Sequence, residues 1–358
     1  MGVQSKMGWN DLPFEMKCEV FKYLNQNERF KFAKCSFSCL NEVIHEEKEI
    51  WLVEFKGIKR ADGKLLILKI AYIELEFMQV GKLCEIKWNY EIIWKIVGNG
   101  KTMAYKFCEN VLARHKNNIR SLNLSKVDFM IRDKSIDNFP KLEVLTITTN
   151  NEKQLYSWLS KAENLEDLTV NFRDFGNTEK IRFPGNSKLS KIDNFNLVSN
   201  NANVALKIID KMNKPKDKYF EKVNVSIIDG KYAVVNEKFI NFFKKCENLT
   251  TNLILTDDQF SQLMLSCRYL KLNAEKVNYS TISRLIENCI KNGISKELQL
   301  TNVHGLEKQL RDFKWLRERK KEEWIHEAVP NKYFIYSFIS CVRGSYNSST
   351  GRLIFHSF

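Results

Sequence analysis

Two kinds of apolar spacing divide this chain into regions. Over residues 9–51 apolar residues recur every three or four positions, which is typical of one side of a helix. From about residue 118, short apolar–polar–apolar triplets recur instead, as they do in strands with one buried face. The pattern predicts a mixed α and β fold with four regions: a helical module (7–53), a mainly helical connecting region (54–117), a strand–helix repeat region (118–303) and a C-terminal cap (304–358).

The first fifty residues predict a bundle of three short helices. Asp11 and Pro13 favour the start of the first helix, because Asp caps helix N-termini and Pro fits a first turn that needs no amide hydrogen. Asn27 is predicted to cap the second helix, and Ser36 or Ser38 the third. Helices this short cannot bury all their apolar surface among themselves. That surface either docks on a partner or packs on the rest of the chain, and the sequence leaves both possibilities open.

The N-terminal stretch resembles an F-box. The residues that carry the resemblance, in order, are Leu12, Pro13, Glu15, Val20, Leu24, Arg29, Ser36 and Trp51. The opening Trp9-x-x-Leu12-Pro13 looks most like the large nematode F-box families. The resemblance implies that these eight residues bind the Skp-type linker of an SCF ubiquitin ligase and, through it, a cullin. Leu12, Pro13, Val20 and Leu24 are predicted to be the buried anchors, whereas Glu15 and Arg29 are predicted to orient or cap.

The later triplets predict a solenoid of stacked strand–helix units. The triplets that end at Leu124, Ile147 and Val170 are 23 residues apart, and looser ones follow at 195–197, 223–225, 253–255, 270–272 and 298–300. The pattern resembles degenerate, irregular leucine-rich repeats, in which stacking buries the apolar side of each unit. Nematode F-box proteins commonly carry a C-terminal region of the FTH or F-box-associated type that holds substrates. The resemblance therefore implies that residues 118–303 bind an unknown target protein.

The connecting region and the C-terminal cap have less regular patterns. Leu65–Leu75 and Ile86–Val97 are rich in apolar residues and predict helices, or a helix and a strand, within a mainly helical region. Leu306–Trp324 predicts a charged amphipathic helix. A hairpin is predicted from Tyr333–Val342 and Arg352–Phe358, covering the open end of the solenoid.

Composition narrows the class of partner. The formal net charge is +14, which would attract acidic proteins or phosphate backbones. The lysines are spread along the chain, however, and no known nucleic-acid-binding motif is present. The nine cysteines and the lack of an apolar signal at the N-terminus predict a reducing compartment, the cytoplasm or the nucleus. Residues 64–73 are too short and too charged to cross a membrane, so no membrane partner is predicted.

No motif for catalysis, a cofactor or a metal stands out. Cys35-x-x-x-Cys39 lacks two further zinc ligands and predicts a pair of buried thiols. Gly98–Thr102 resembles the end of a phosphate-binding loop, but Lys95 occupies the position where that loop needs a glycine, which favours a turn.

Three functions therefore remain. The first is a non-catalytic substrate adaptor of an SCF ligase. The second is a basic repeat protein that binds nucleic acid or an acidic protein, and the third is an enzyme with an unrecognised site.

Overall fold

The protein has a mixed α and β fold with a large sheet. The computed structural model describes residues 9, 12–35, 39–40, 42–43, 50–61, 63–71, 73–88, 90–131, 136–172, 191–210, 212, 219–228, 235–292, 294–304, 323–329, 332–337, 342–347 and 349–357. Eight helices and seventeen strands lie within these residues. The chain divides into two units, Met1–Thr149 with Lys153–Asn164 and Asn150–Glu152 with Leu165–Phe358.

The first unit begins with two short helices, α1 (Phe14–Tyr23) and α2 (Gln26–Ala33). Pro13 occupies the position before α1, and its carbonyl accepts hydrogen bonds from the amides of Met16 and Lys17. Asp11, the predicted cap, lies outside the described residues. Most of the predicted third helix does too, although Leu40 and Val43 have helical backbone and are buried.

Seven strands form the sheet of the first unit. Their order is β5, β4, β3, β2, β1, β6, β7, antiparallel from β5 to β1 and parallel from β1 to β7. Their bounds are β1 Leu52–Arg60, β2 Gly63–Ile70, β3 Ile73–Val80, β4 Leu83–Trp88, β5 Glu91–Val97, β6 Ser121–Ser125 and β7 Val144–Thr149.

The prediction of a mainly helical connecting region at 54–117 is wrong. The region contains most of β1, all of β2–β5 and only one helix, α3 (Gly100–His115). Tight turns join these strands, and two of them place Ala71 and Tyr90 at positive φ, 51° and 74°. Glycine or asparagine normally marks such turns. Because these turn residues are atypical, the apolar runs looked like parts of helices.

Helix α3 covers one face of the antiparallel strands. The ring of Phe107 lies 6.0 Å from that of Phe77, and the ring of Tyr105 lies 5.5 Å from that of Phe55. Phe129 extends this aromatic core to Trp158 of α4 (Glu152–Leu159), whose Nε1 donates to the Phe129 carbonyl at 3.2 Å. The core of the first unit therefore lies on the α3 side of its sheet.

Six parallel strands of the second unit pair in chain order. They are β8 Asp167–Phe172, β9 Asn194–Ser199, β10 Phe220–Ile227, β11 Cys246–Ile254, β12 Tyr269–Asn273 and β13 Lys296–Thr301. Their pairing aligns one buried apolar row: Leu168, Phe195, Val223, Leu249, Leu270 and Leu298. Helices separate the later strands: α5 Ala202–Ile209, α6 Glu237–Phe243, α7 Asp257–Ser266 and α8 Tyr279–Lys291.

The predicted triplets fall on β6–β10, β12 and β13, and one further triplet is displaced along its strand. The triplet predicted at 253–255 is displaced, because β11 aligns with its neighbours through Leu249 and has an irregular register near Ile254. Helix α6 had no counterpart in the sequence interpretation. The likeness to leucine-rich repeats stays a prediction.

The C-terminal residues form four antiparallel strands rather than one hairpin. They are β14 Glu323–Val329, β15 Lys332–Ser337, β16 Val342–Asn347 and β17 Arg352–Ser357, and β17 also pairs with β13. The predicted helix Leu306–Trp324 is wrong at its end, where β14 begins, and residues 305–322 lie outside the described part of the chain. In this region β17 pairs with β16 and not with the predicted strand Tyr333–Val342. The turn that joins β16 to β17 includes residues 349–351, where Gly351 has a φ of 61°.

Candidate partner-binding site on the N-terminal helices

One side of α1 packs on its own chain through aromatic rings. Phe21 is 1% exposed and lies edge to face with Trp9 and Phe32, at centroid distances of 5.6 and 5.2 Å. The indole Nε1 of Trp9 donates to Glu42, and Lys17 forms an ion pair with the same carboxylate at 3.2 Å. These contacts fix which side of α1 faces inward.

The junction of α1 and α2 is held by caps. Asn25 and Glu28 form a reciprocal capping box at the start of α2, with bonds of 2.8 and 3.0 Å. The cap is therefore Asn25 and not the predicted Asn27. Arg29 donates from Nε to the Leu24 carbonyl at 3.1 Å and from Nη2 to the Phe21 carbonyl at 2.9 Å. A cation at these carbonyls stabilises the C-terminal end of α1.

Helix α2 rests on the sheet of the first unit. Phe30 packs edge to face on Trp88, at a centroid distance of 5.2 Å. The Trp94 indole donates to the Ala33 carbonyl at 3.3 Å, and Lys34 pairs with Glu91 at 3.0 Å. Part of the apolar surface of the helices thus packs on the rest of the chain.

Another part of that surface stays open. Met16, Val20 and Tyr23 are exposed at 53%, 40% and 83%, and their spacing of four and three residues aligns them along one side of α1. We call these three residues the α1 stripe. Phe21 points in nearly the opposite direction around the helix axis. The own-chain contacts of α1 therefore leave the stripe free to be buried by a partner.

The predicted site residues differ in accessibility. Pro13 and Val20 are exposed, whereas Leu12 and Leu24 are half-buried. Trp51 is exposed at the start of β1, and its carbonyl accepts the amides of Arg120 and Ser121. Ser36 and the side chain of Glu15 lie outside the described residues.

Sequence reasoning missed Tyr23, the most exposed member of the stripe. The available signal was its position three residues after Val20 and seven after Met16, which is helical spacing.

Elsewhere in the first unit, a cavity of about 540 Å³ opens beside the start of α3. It does not work as a phosphate-binding loop, because the Gly100 amide already donates to Gln79 at 2.7 Å and the Thr102 amide to Asn99 at 3.1 Å. Burial, reinforced by nearby Asp128, raises the pKa of Tyr105 in its wall to about 12, so the phenol stays protonated at neutral pH. The interpretation of Gly98–Thr102 as a turn before a capped helix fits these bonds.

The described residues contain neither a cluster of metal-binding side chains nor a membrane-spanning helix. Among them, no three His, Cys, Asp or Glu side chains converge as metal ligands. No helix within the described ranges is both long and apolar enough to cross a bilayer. The prediction of two buried thiols is wrong for Cys35, which is exposed; Cys39 is buried.

Comparison with known proteins gives one match. A family model described as F-box domain matches residues 9–42, the stretch that contains α1 and α2. No curated protein matches the chain. F-box domains bind Skp-type linkers of cullin-based ligases, and F-box proteins are generally non-catalytic adaptors. The N-terminal domain therefore suggests an SCF-type substrate adaptor.

Proposed function

We propose that this protein is a non-catalytic substrate adaptor of an SCF-type ubiquitin ligase, acting in the cytoplasm or the nucleus. Helices α1 and α2 bind a Skp-type linker and, through it, a cullin. The strand–helix repeats bind the target protein. The observation that carries the proposal is that the F-box match coincides with a helix whose apolar stripe is open.

The division of α1 into two sides supports docking over simple core packing. Trp9, Phe21 and Phe32 fill the inner side, so the position of α1 does not depend on the stripe. Three large side chains on adjacent turns of an exposed helix are costly to keep in water and favour burial by a partner. Helix-in-groove recognition uses anchors with this spacing.

The adaptor works by proximity. Holding a target lysine near a ubiquitin-charged enzyme raises its effective concentration without chemistry by the adaptor itself. This role needs two separate surfaces, one for the linker and one for the target. The α1 stripe would serve the first, and a surface elsewhere on the chain would serve the second.

Calorimetric titration of the full chain with a purified Skp-type linker tests the proposal. The informative variant is Met16→Ser/Tyr23→Ser, and Tyr219→Ser, with 60% exposure in the second unit, is the matched control. Losing two anchors should weaken linker binding about tenfold or more, whereas the control should bind like the parent. A folded parent that does not bind the linker, or a stripe variant that binds as tightly as the parent, would refute linker docking through α1.

A further inference from the structure

Helix α3 covers one face of the antiparallel strands of the first unit, and the opposite face is exposed at one corner. Phe55, Phe77 and Cys84 point toward α3, since Phe55 and Phe77 contact its rings and Cys84 lies beside Gly100. Side chains alternate between faces along a strand. The residues between these positions therefore lie on the face opposite α3.

Six aliphatic side chains cluster at this corner of the face opposite α3. Register aligns Ile58 with Leu65 and Leu65 with Met78 in one row, and Val80 with Leu83 and Leu83 with Val97 in the adjacent row. We call this cluster the apolar corner: Ile58, Leu65, Met78, Val80, Leu83 and Val97. Ile58, Val80, Leu83 and Val97 are exposed, with Val97 at 78% and Val80 at 47%, whereas Met78 is half-buried and Leu65 is buried at 1%.

The corner differs from scattered surface leucines because its members are neighbours. Directly paired residues on one sheet face lie about 5 Å apart, so the exposed side chains of Val80, Leu83 and Val97 form a continuous patch. Contiguous apolar patches on soluble proteins mark interaction sites, whereas single exposed aliphatics need no explanation.

Positive charge borders the corner. Arg60 ends β1 on the same face as Ile58, and Lys82 lies in the turn between Val80 and Leu83. Within the described part of the chain, neither cation forms an ion pair. Lys95 is paired with Glu85 at 2.9 Å, so these two charges balance each other. The border is therefore complementary to acidic groups.

We propose that the apolar corner is a second docking surface for the target, in addition to the strand–helix repeats, and that it takes an amphipathic helix of the target with acidic flanks. This inference rests on the proposed adaptor function in one respect, the identification of the partner as a target of the ligase. The apolar stripe of such a helix would cover the aliphatic residues, and its flanking carboxylates would reach Arg60 and Lys82.

The dimensions of the corner suit a short helix. The row of Val80, Leu83 and Val97 continues to Arg60 on β1, so it crosses the five strands β1–β5, and four gaps of about 4.8 Å give a length of about 19 Å. A helix of about 13 residues has this length, with apolar side chains repeating along one side at each turn. A strand added at the edge of β5 would not reach Arg60 at the other end of this row.

The test measures binding of a labelled helical peptide by fluorescence anisotropy, using the full chain in complex with its Skp-type linker. The probe is about 18 residues long, with leucines along one side, glutamates on both flanks and alanine elsewhere. A second peptide carries lysine in place of each glutamate. The protein variants are Leu83→Ser/Val97→Ser, Arg60→Glu/Lys82→Glu and the control Leu265→Ser, an exposed leucine of α7.

The parent and the Leu265→Ser control should bind the glutamate peptide equally. Both double variants should bind the glutamate peptide at least about tenfold more weakly than the parent does, and the lysine peptide should bind poorly to the parent. No binding of the glutamate peptide, equal binding by the corner variant, or equal binding of both peptides would overturn the proposal. The proposal would also be overturned, in favour of a membrane surface, if the parent bound phosphatidylserine vesicles but not the peptide and the Leu83→Ser/Val97→Ser variant lost the vesicle binding.

Failure here and failure of the adaptor proposal are distinguishable. The linker titration depends on Met16 and Tyr23 and not on the corner. An intact linker complex that ignores the glutamate peptide would refute only the docking corner, whereas absence of the linker complex would refute the adaptor.

Discussion

Substitution of Arg29 tests whether this residue contacts the partner itself or instead stabilises α1, the helix that binds the partner. The side chain donates two hydrogen bonds, at 3.1 and 2.9 Å, to carbonyls at the end of α1. A hydrogen bond from a charged group contributes about 1.5–3 kcal/mol when well shielded. Arg29 is only half-buried, so we count the two bonds together at about 2 kcal/mol. Arg29→Met keeps the length of the side chain and removes both bonds.

Amide hydrogen exchange, read by mass spectrometry on peptides of α1, measures this loss directly. A local loss of about 2 kcal/mol should speed exchange about 30-fold in α1, because opening free energy sets the exchange rate there. Lys31→Met is the matched control, since Lys31 is an exposed basic residue of α2. A change of less than about threefold in α1 would refute the capping role.

The same variant separates capping from direct contact. If Arg29 acts only as a cap, α1 remains mostly helical in the variant and the Kd for a Skp-type linker changes by about threefold or less. A tenfold weaker Kd with little change in exchange would instead place Arg29 in the interface, as the F-box resemblance implied.

Three other positions of the first unit give independent predictions. Gln154 is fully buried and bonds two carbonyls and the Thr149 hydroxyl, so Gln154→Met should lower the free energy of unfolding by about 2–4 kcal/mol in urea titrations. A loss of less than about 1 kcal/mol would show that these buried bonds are not a main source of stability. Burial, with Arg114 nearby, lowers the pKa of His115 to about 4, below its unfolded value of about 6.5, so its contribution to stability is present above about pH 6.5 and is lost as pH falls toward 4. His115→Phe should therefore flatten the fall in urea midpoint between about pH 7 and pH 5, and an unchanged slope would contradict this. Gly57→Ala should cost about 1–3 kcal/mol by the same measurement, because a Cβ would lie 2.4 Å from the Lys126 carbonyl, and parent-like stability would refute that close approach.

The sequence predicts a strand well where one face of the strand is buried and the other face is at least partly exposed. In β6–β10, alternate residues are buried, and the triplets at 122–124, 145–147, 168–170, 195–197 and 223–225 follow this alternation. The prediction failed in β2–β5, where apolar residues occupy both faces. Leu65 and Val80 lie on the face opposite α3, and they add apolar positions to runs that already contain residues of the α3 face such as Leu66 and Phe77. The failed prediction and the apolar corner therefore have the same cause.

The candidate site was partly predictable for a related reason. Helical spacing identified Val20 as part of an apolar side, but spacing alone does not tell which side of a short helix faces inward. Phe21 settles this by packing between Trp9 and Phe32, and those contacts depend on the position of α2. Tyr23 became recognisable as exposed only through that arrangement.

The placement of charge on the second unit bears on the nucleic-acid alternative. The middle outward row of its parallel strands consists of Thr169, Asn196, Asn224, Thr250, Lys271 and Gln299. Only one of these six is a cation, and the neighbouring row contains one cation, Lys222, and two carboxylates, Asp167 and Glu297. Binding a phosphate backbone requires several clustered cations and produces a steep salt dependence. Amide and hydroxyl side chains instead favour a partner held by hydrogen bonds, so a target bound to this face should be less sensitive to salt than an acidic helix on the apolar corner.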